Sequence, residues 1–175
     1  MKIVSIALRR AAGPALAAGL VVSFATPAAA QTPGSTAFRL FGSLVGLQAR
    51  AGVQNQVSSA VSAANHLLLT DTAGIAIGPG CARVSDTTAD CGSISTGTRL
   101  LIALGDQNDS AKADAPVNTT VDAGTGVDSV STDGGNDTIS VQDNAGGDTV
   151  TCDGGNDVVF ADPGDNIATD CERRF

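Results

Sequence analysis

Between Gly105 and Ile167 one short pattern recurs, and it limits the possible folds more than any other feature of the chain. Two glycine-like residues, a spacer, Gly, a spacer, Asp, a spacer and an aliphatic residue follow one another. Clear copies are Ala123-Gly124-Thr125-Gly126-Val127-Asp128-Ser129-Val130 and Thr132-Asp133-Gly134-Gly135-Asn136-Asp137-Thr138-Ile139. Two more are Asp143-Asn144-Ala145-Gly146-Gly147-Asp148-Thr149-Val150 and Cys152-Asp153-Gly154-Gly155-Asn156-Asp157-Val158-Val159. Degenerate copies end at Asp109 and at Asp165-Asn166-Ile167. A unit this short cannot bury its aliphatic residue alone, so copies must stack on their neighbours. Gly, Asn and Asp suit turns with positive φ, and the residues after each Asp suit a strand. The expectation is an all-β stack in which two repeats make one coil and successive turns lie on opposite edges. One edge then carries Asp109, Asp128, Asp148 and Asp165; the other carries Thr119, Asp137 and Asp157.

That arrangement brings like charges together. At roughly 5 Å and an effective dielectric of about 20, two bare carboxylates repel by about 3 kcal/mol. Several such pairs rival the stability of a small domain, about 5–15 kcal/mol. Turn carbonyls and carboxylates are hard oxygen donors suited to Ca²⁺, which accepts irregular shells of six to eight ligands. The expected metal positions are therefore Asp109, Asp128, Asp137, Asp148, Asp157 and Asp165, with Gly124, Gly126, Asp133, Gly135, Gly146, Asp153 and Gly155 in the same turns. Folding of this half is expected to depend on metal. The repeats are imperfect: key positions are spaced irregularly, Gln107 and Pro163 replace a turn glycine, and Thr119 replaces an Asp.

Charge points the same way. Residues 1–30 read as a signal peptide, with Lys2, Arg9 and Arg10 before an apolar run and Ala28-Ala29-Ala30 as the cleavage site. Removing those three bases takes the net charge from −8 to −11. Most acids fall between Asp106 and Glu172, which excludes nucleic acid as a partner because phosphates would be repelled. No later stretch is long and apolar enough for a transmembrane anchor, so a secreted protein is expected. Four cysteines in an exported chain imply disulfides, and they allow three connectivities. The local pairing, Cys81–Cys91 with Cys152–Cys171, closes one loop on each side of the repeats. Zinc is disfavoured by the absence of a C-x-x-C pair and the single histidine, His66.

Before the repeats, Ala37 to Leu47 suggests short strands bent at Gly42 and Gly46. Val53 to Leu68 fits both a helix face and a strand face. His66 to Thr70 and Ile75 to Ile77 read as strands, separated by the turn Asp71-Thr72-Ala73-Gly74. Cys81 to Cys91 encloses a hairpin tip at Asp86-Thr87-Thr88, and Arg99 to Leu104 is a buried strand.

The run from Cys81 through Thr98-Arg99-Leu100-Leu101-Ile102-Ala103-Leu104-Gly105-Asp106-Gln107-Asn108-Asp109, the repeats, and the ending Asp170-Cys171-Glu172 resemble secreted bacterial, actinobacterial-type proteins with hemolysin-type (RTX) calcium-binding repeats. The resemblance covers roughly residues 53–172 and favours strand for Val57 to Val61. It implies a right-handed parallel β-roll, or β-solenoid, with calcium in its turns, preceded by an irregular β cap. The corresponding division is a signal peptide over 1–30, a cap with a disulfide hairpin over 31–104, and a calcium-binding roll over 105–172.

Other chemistry fits less well. Asp106 to Val117 lacks the Gly and the Glu of an EF-hand loop. Asp71-Thr72-Ala73 misses the Asp-Thr-Gly of aspartic proteases, and His66 has no nucleophile signature nearby. The expectation is a calcium-binding protein and no enzyme, with cell-surface or matrix contact as its setting. The alternative is a metal-independent structural or adhesive solenoid.

Overall fold

The computed structural model describes residues 32–175; the signal-peptide reading falls on residues outside that range. The described chain is all-β, with sixteen strands in two eight-stranded mixed sheets, no helix and no closed barrel. The first seven are β1 (Ser35–Leu40), β2 (Leu44–Ala49), β3 (Gln56–Val61), β4 (His66–Asp71), β5 (Ile75–Ile77), β6 (Ala82–Arg83) and β7 (Thr88–Ser93). The others are β8 (Arg99–Ala103), β9 (Ser110–Ala113), β10 (Asn118–Asp122), β11 (Ser129–Thr132), β12 (Thr138–Ser140), β13 (Thr149–Thr151), β14 (Val158–Phe160), β15 (Asn166–Ile167) and β16 (Arg173–Arg174).

From β8 onward the chain alternates between sheets. Strands β8, β10, β12, β14 and β16 run parallel in one, and β9, β11, β13 and β15 run parallel in the other. Period-2 alternation turns one residue of each strand inward. Parallel register then stacks Leu47, Ile102, Val121, Ile139 and Val159 on one inner face. Val57, Ala111, Val130, Val150 and Ile167 form the facing column. Two thin sheets of β-branched and small residues fill this interior without aromatic bulk. Each buried Val, Ile or Leu contributes about 1.5–3 kcal/mol.

The region before β8 shares these sheets but pairs mostly antiparallel. Strands β1–β2, β3–β4, β4–β7 and β6–β7 are antiparallel neighbours, while β2 and β3 are parallel to β8 and β9. Val57 to Val61 is strand. Gly78-Pro79-Gly80 turns after β5 while staying bonded to β1, Gly78 N–H donating to the Ala37 carbonyl and Arg39 N–H to the Pro79 carbonyl, both at 2.7 Å. Gly46 lies inside β2 rather than at a bend: a side chain there would overlap the ring of Phe38 across the hairpin. The disulfides are Cys81–Cys91, closing the β6–β7 hairpin, and Cys152–Cys171, holding the last coil. Among the described residues no helix is long and apolar enough to cross a membrane.

Candidate metal-binding ladder

Each repeat aspartate sits where a turn enters a strand, at the inner corner between the two sheets. On one edge, Asp109 Oδ1 accepts the main-chain N–H of Asn55, Asp128 Oδ1 that of Asp109, and Asp148 Oδ1 that of Asp128, each at 2.7 Å. Asp165 Oδ1 continues the series, accepting from Gly147 at 3.0 Å and Asp148 at 3.1 Å. On the opposite edge, Asp137 Oδ1 accepts from Thr119 at 2.7 Å and Asp157 Oδ1 from Asp137 at 2.8 Å. Glu172 Oε2 closes that series on the N–H of Asp157 at 2.8 Å. The aspartates thus divide between two edges, and every carboxylate reaches back one coil to a main-chain donor.

This geometry changes the energetic balance expected from bare stacked charges. One oxygen of each carboxylate meets an N–H dipole, which favours the charged form. Burial acts against it and is the larger effect: Asp109, Asp137, Asp148 and Asp157 are all pushed above the ordinary carboxylate range, by desolvation first. Asp128 is raised to about 6, again chiefly by desolvation, with Asp148, Asp109 and Asp143 adding repulsion. Loss of water, more than mutual repulsion, is the main cost of assembling the ladders.

The second oxygens differ along the ladders. Asp109, Asp128 and Asp157 are at most 3% exposed, and the Oδ2 of each is buried without a hydrogen-bond partner. Near Asp137, the Thr132 hydroxyl favours the charged form, although its hydrogen bond runs to the Cys152 carbonyl at 3.3 Å. Asp165 uses both oxygens, its Oδ2 accepting the N–H of Asp162 at 2.7 Å.

The turn glycines explain how the carboxylates fit. Gly155 and Gly135 stand two residues before Asp157 and Asp137, and a Cβ on either would lie 3.1 Å from the Oδ1 of that aspartate. A Cβ on Gly155 would also overlap the Gly135 carbonyl oxygen one coil away, and one on Gly126 would overlap that of Gln107. Coils therefore approach closely at both edges, with main-chain oxygens beside the carboxylates. Gly124 packs on the Gly105 carbonyl in the same way, and Gly146 lies against the Pro163 carbonyl. Asp133 and Asp153, by contrast, are exposed and stand outside the ladders, where their charge bears on Lys112.

Some ladder members carry no mark in the repeat pattern. Asn118 Oδ1 accepts the N–H of Asn136, and Asn136 Oδ1 that of Asn156, both at 3.1 Å; Asn108 Oδ1 accepts from Val127 at 2.9 Å. These amides reach forward one coil, opposite to the aspartates. Asp143 Oδ2 accepts from Gly126, and Asp162 Oδ2 from Asp143 and Asn144. Their signal was a polar residue at the same place in successive turns.

No family model, curated protein or solved structure matches this chain. Its chemistry must be read from the ladders themselves. Among the described residues, no three or more His, Cys, Asp or Glu side chains converge on one point. A cation at these edges would therefore take one or two carboxylate oxygens and complete its shell with turn carbonyls or water. That donor set is all hard oxygen, and the unpartnered Oδ2 atoms supply a place for it, so the residues fit Ca²⁺.

Away from the ladders, His66 Nδ1 lies 2.9 Å from Asp90 Oδ2, joining β4 to β7. Asp90 is held below the usual carboxylate range, first by His66 and then by the N–H of Gly92. Arg39 donates to the carbonyls of Cys91 and Ser93 beside it, at 2.6 and 2.8 Å. The group holds the disulfide hairpin against β1.

Proposed function

We propose that this is an exported calcium-binding protein whose parallel coils form a β-roll of RTX type, stiffened by cations held at its two edges. One observation carries the reading: Asp109, Asp128 and Asp157 each bury a carboxylate oxygen that has no donor. An unpaired buried acceptor costs about 1–3 kcal/mol, more when charged, so it marks a place for a proton, a water or a cation. A cation answers both the missing partner and the crowded negative charge. The two disulfides and the lack of a membrane-length apolar helix among the described residues are compatible with an extracellular setting. In this role the aspartates bind and the glycines keep the coils close enough for carbonyls to share the ion. Main-chain N–H groups hold each carboxylate in position before the ion arrives.

A second reading has its own support. The Oδ1-to-amide ladders are complete without metal, and the disulfides fix both ends, so a metal-independent structural solenoid is the alternative. Circular dichroism of the purified protein in chelator and in about 5 mM Ca²⁺ separates the two, that concentration lying above the range of extracellular sites. A gain of β signal or a higher thermal midpoint with Ca²⁺ supports the first. Identical spectra and midpoints support the second.

A further inference from the structure

The first rung of one aspartate ladder comes from a residue outside the repeats. Asn55 is fully buried just before β3, and its N–H donates to Asp109 Oδ1 at 2.7 Å. It therefore stands in register where later coils carry Asp. Its side chain has a fixed orientation, because Nδ2 donates to the Gly34 carbonyl at 3.1 Å and to Asp71 Oδ2 at 2.7 Å. Asp71 is also fully buried, its Oδ1 accepting the N–H of Ala73 at 3.0 Å. Two acceptors are left over: Asn55 Oδ1 and Asp109 Oδ2 are buried and without partners.

We propose that this junction between the antiparallel cap and the first coil binds one hard divalent cation of the Ca²⁺ class, with Asn55 Oδ1 and Asp109 Oδ2 as ligands. Both unfilled atoms are acceptors, so they require a proton on Asp109, a water or a cation. A buried water would supply donors but would leave the charge uncompensated. Asp71 and Asp109 are buried carboxylates, Asp106 lies close enough to repel Asp109, and none of the ion pairs among the described residues includes any of the three. Amide and carboxylate oxygens are the donors Ca²⁺ prefers. Asp71 serves as a positioning residue, fixing the Asn55 amide so that its oxygen stays available. The proposal rests on the calcium reading for Asp109 and extends it to Asn55 and Asp71, which belong to no repeat.

Anomalous diffraction from crystals of the full chain grown in Ca²⁺ tests this without any variant. An anomalous peak within bonding distance of Asn55 Oδ1 and Asp109 Oδ2 is expected. Peaks beside Asp128 or Asp157 with only a water at the junction would overturn the junction site and leave the calcium reading standing. No anomalous peak anywhere would overturn both. In Ca²⁺ titrations, Asn55→Ala should bind one ion fewer than the unaltered chain; equal counts would contradict the proposal.

Discussion

Asp128 Oδ1 lies 2.7 Å from the main-chain nitrogen of Asp109, nineteen residues earlier in the chain, and Asp128 Oδ2 is buried with no partner. The two oxygens of one side chain thus do different things. One is a structural acceptor that binds coil to coil, and the other is an unsatisfied group that calls for a proton or a cation.

Substitutions should separate the two roles. Asp128→Asn keeps an oxygen for the Asp109 N–H and removes the buried charge. In chelator its thermal midpoint should equal or exceed that of the unaltered protein, while the shift produced by Ca²⁺ should shrink. Asp128→Ala leaves the buried Asp109 N–H unpaired and should cost about 1–3 kcal/mol by urea denaturation.

Acid should stabilise the metal-free fold. Asp128 is raised from 3.8 to about 6, so the folded state holds this proton more tightly than the unfolded chain. The resulting penalty is fully present above about pH 6, shrinks as pH falls through that value, and vanishes below the unfolded pKa. Asp109, Asp137, Asp148 and Asp157 shift in the same direction. Calorimetry in chelator should therefore show the midpoint rising between pH 7 and pH 5. With saturating Ca²⁺ the rise should flatten, because protons then compete with the ion.

The close approach of coils predicts a contrast between adjacent glycines. Gly155→Ala places a methyl group against the Gly135 carbonyl and should destabilise by about 1–3 kcal/mol. Gly154→Ala meets open space and should change stability by no more than about 0.5 kcal/mol. Equal effects in urea melts would argue against this packing.

Cys152–Cys171 spans nineteen residues, and opening a loop of that length should cost about 3 kcal/mol. The double variant Cys152→Ser/Cys171→Ser should fray β15 and β16 first, removing Glu172 from the N–H of Asp157. Faster hydrogen exchange at the Asp157 amide than at Asp128 would report it.

Much of this arrangement was legible because the repeat carries two signals in one register. The residue after each Asp-spacer pair is aliphatic and turns inward, as at Val130 and Ile139, and the Asp sits at the corner before it. Spacing alone therefore assigned Asp109, Asp128, Asp148 and Asp165 to one edge. What spacing did not reveal is where each oxygen points, since that depends on the preceding coil's N–H. Asn55 and Asp71 were missed because no glycine precedes them at the repeat interval and their partner is far away in sequence. Gly46 suggests a bend in the sequence because its reason to be glycine, the ring of Phe38, comes from the neighbouring strand of the hairpin. The outer amides Asn108, Asn118 and Asn136 looked like ordinary turn residues, and only stacking shows that they reach the next coil.

Isothermal titration of chelator-stripped protein with Ca²⁺ tests the central claim most directly. The buried, unpartnered carboxylate oxygens predict saturable uptake of about two to four ions, with affinities in the sub-millimolar to millimolar range of extracellular sites. No uptake at millimolar Ca²⁺, with an intact and heat-resistant fold in chelator, would contradict it.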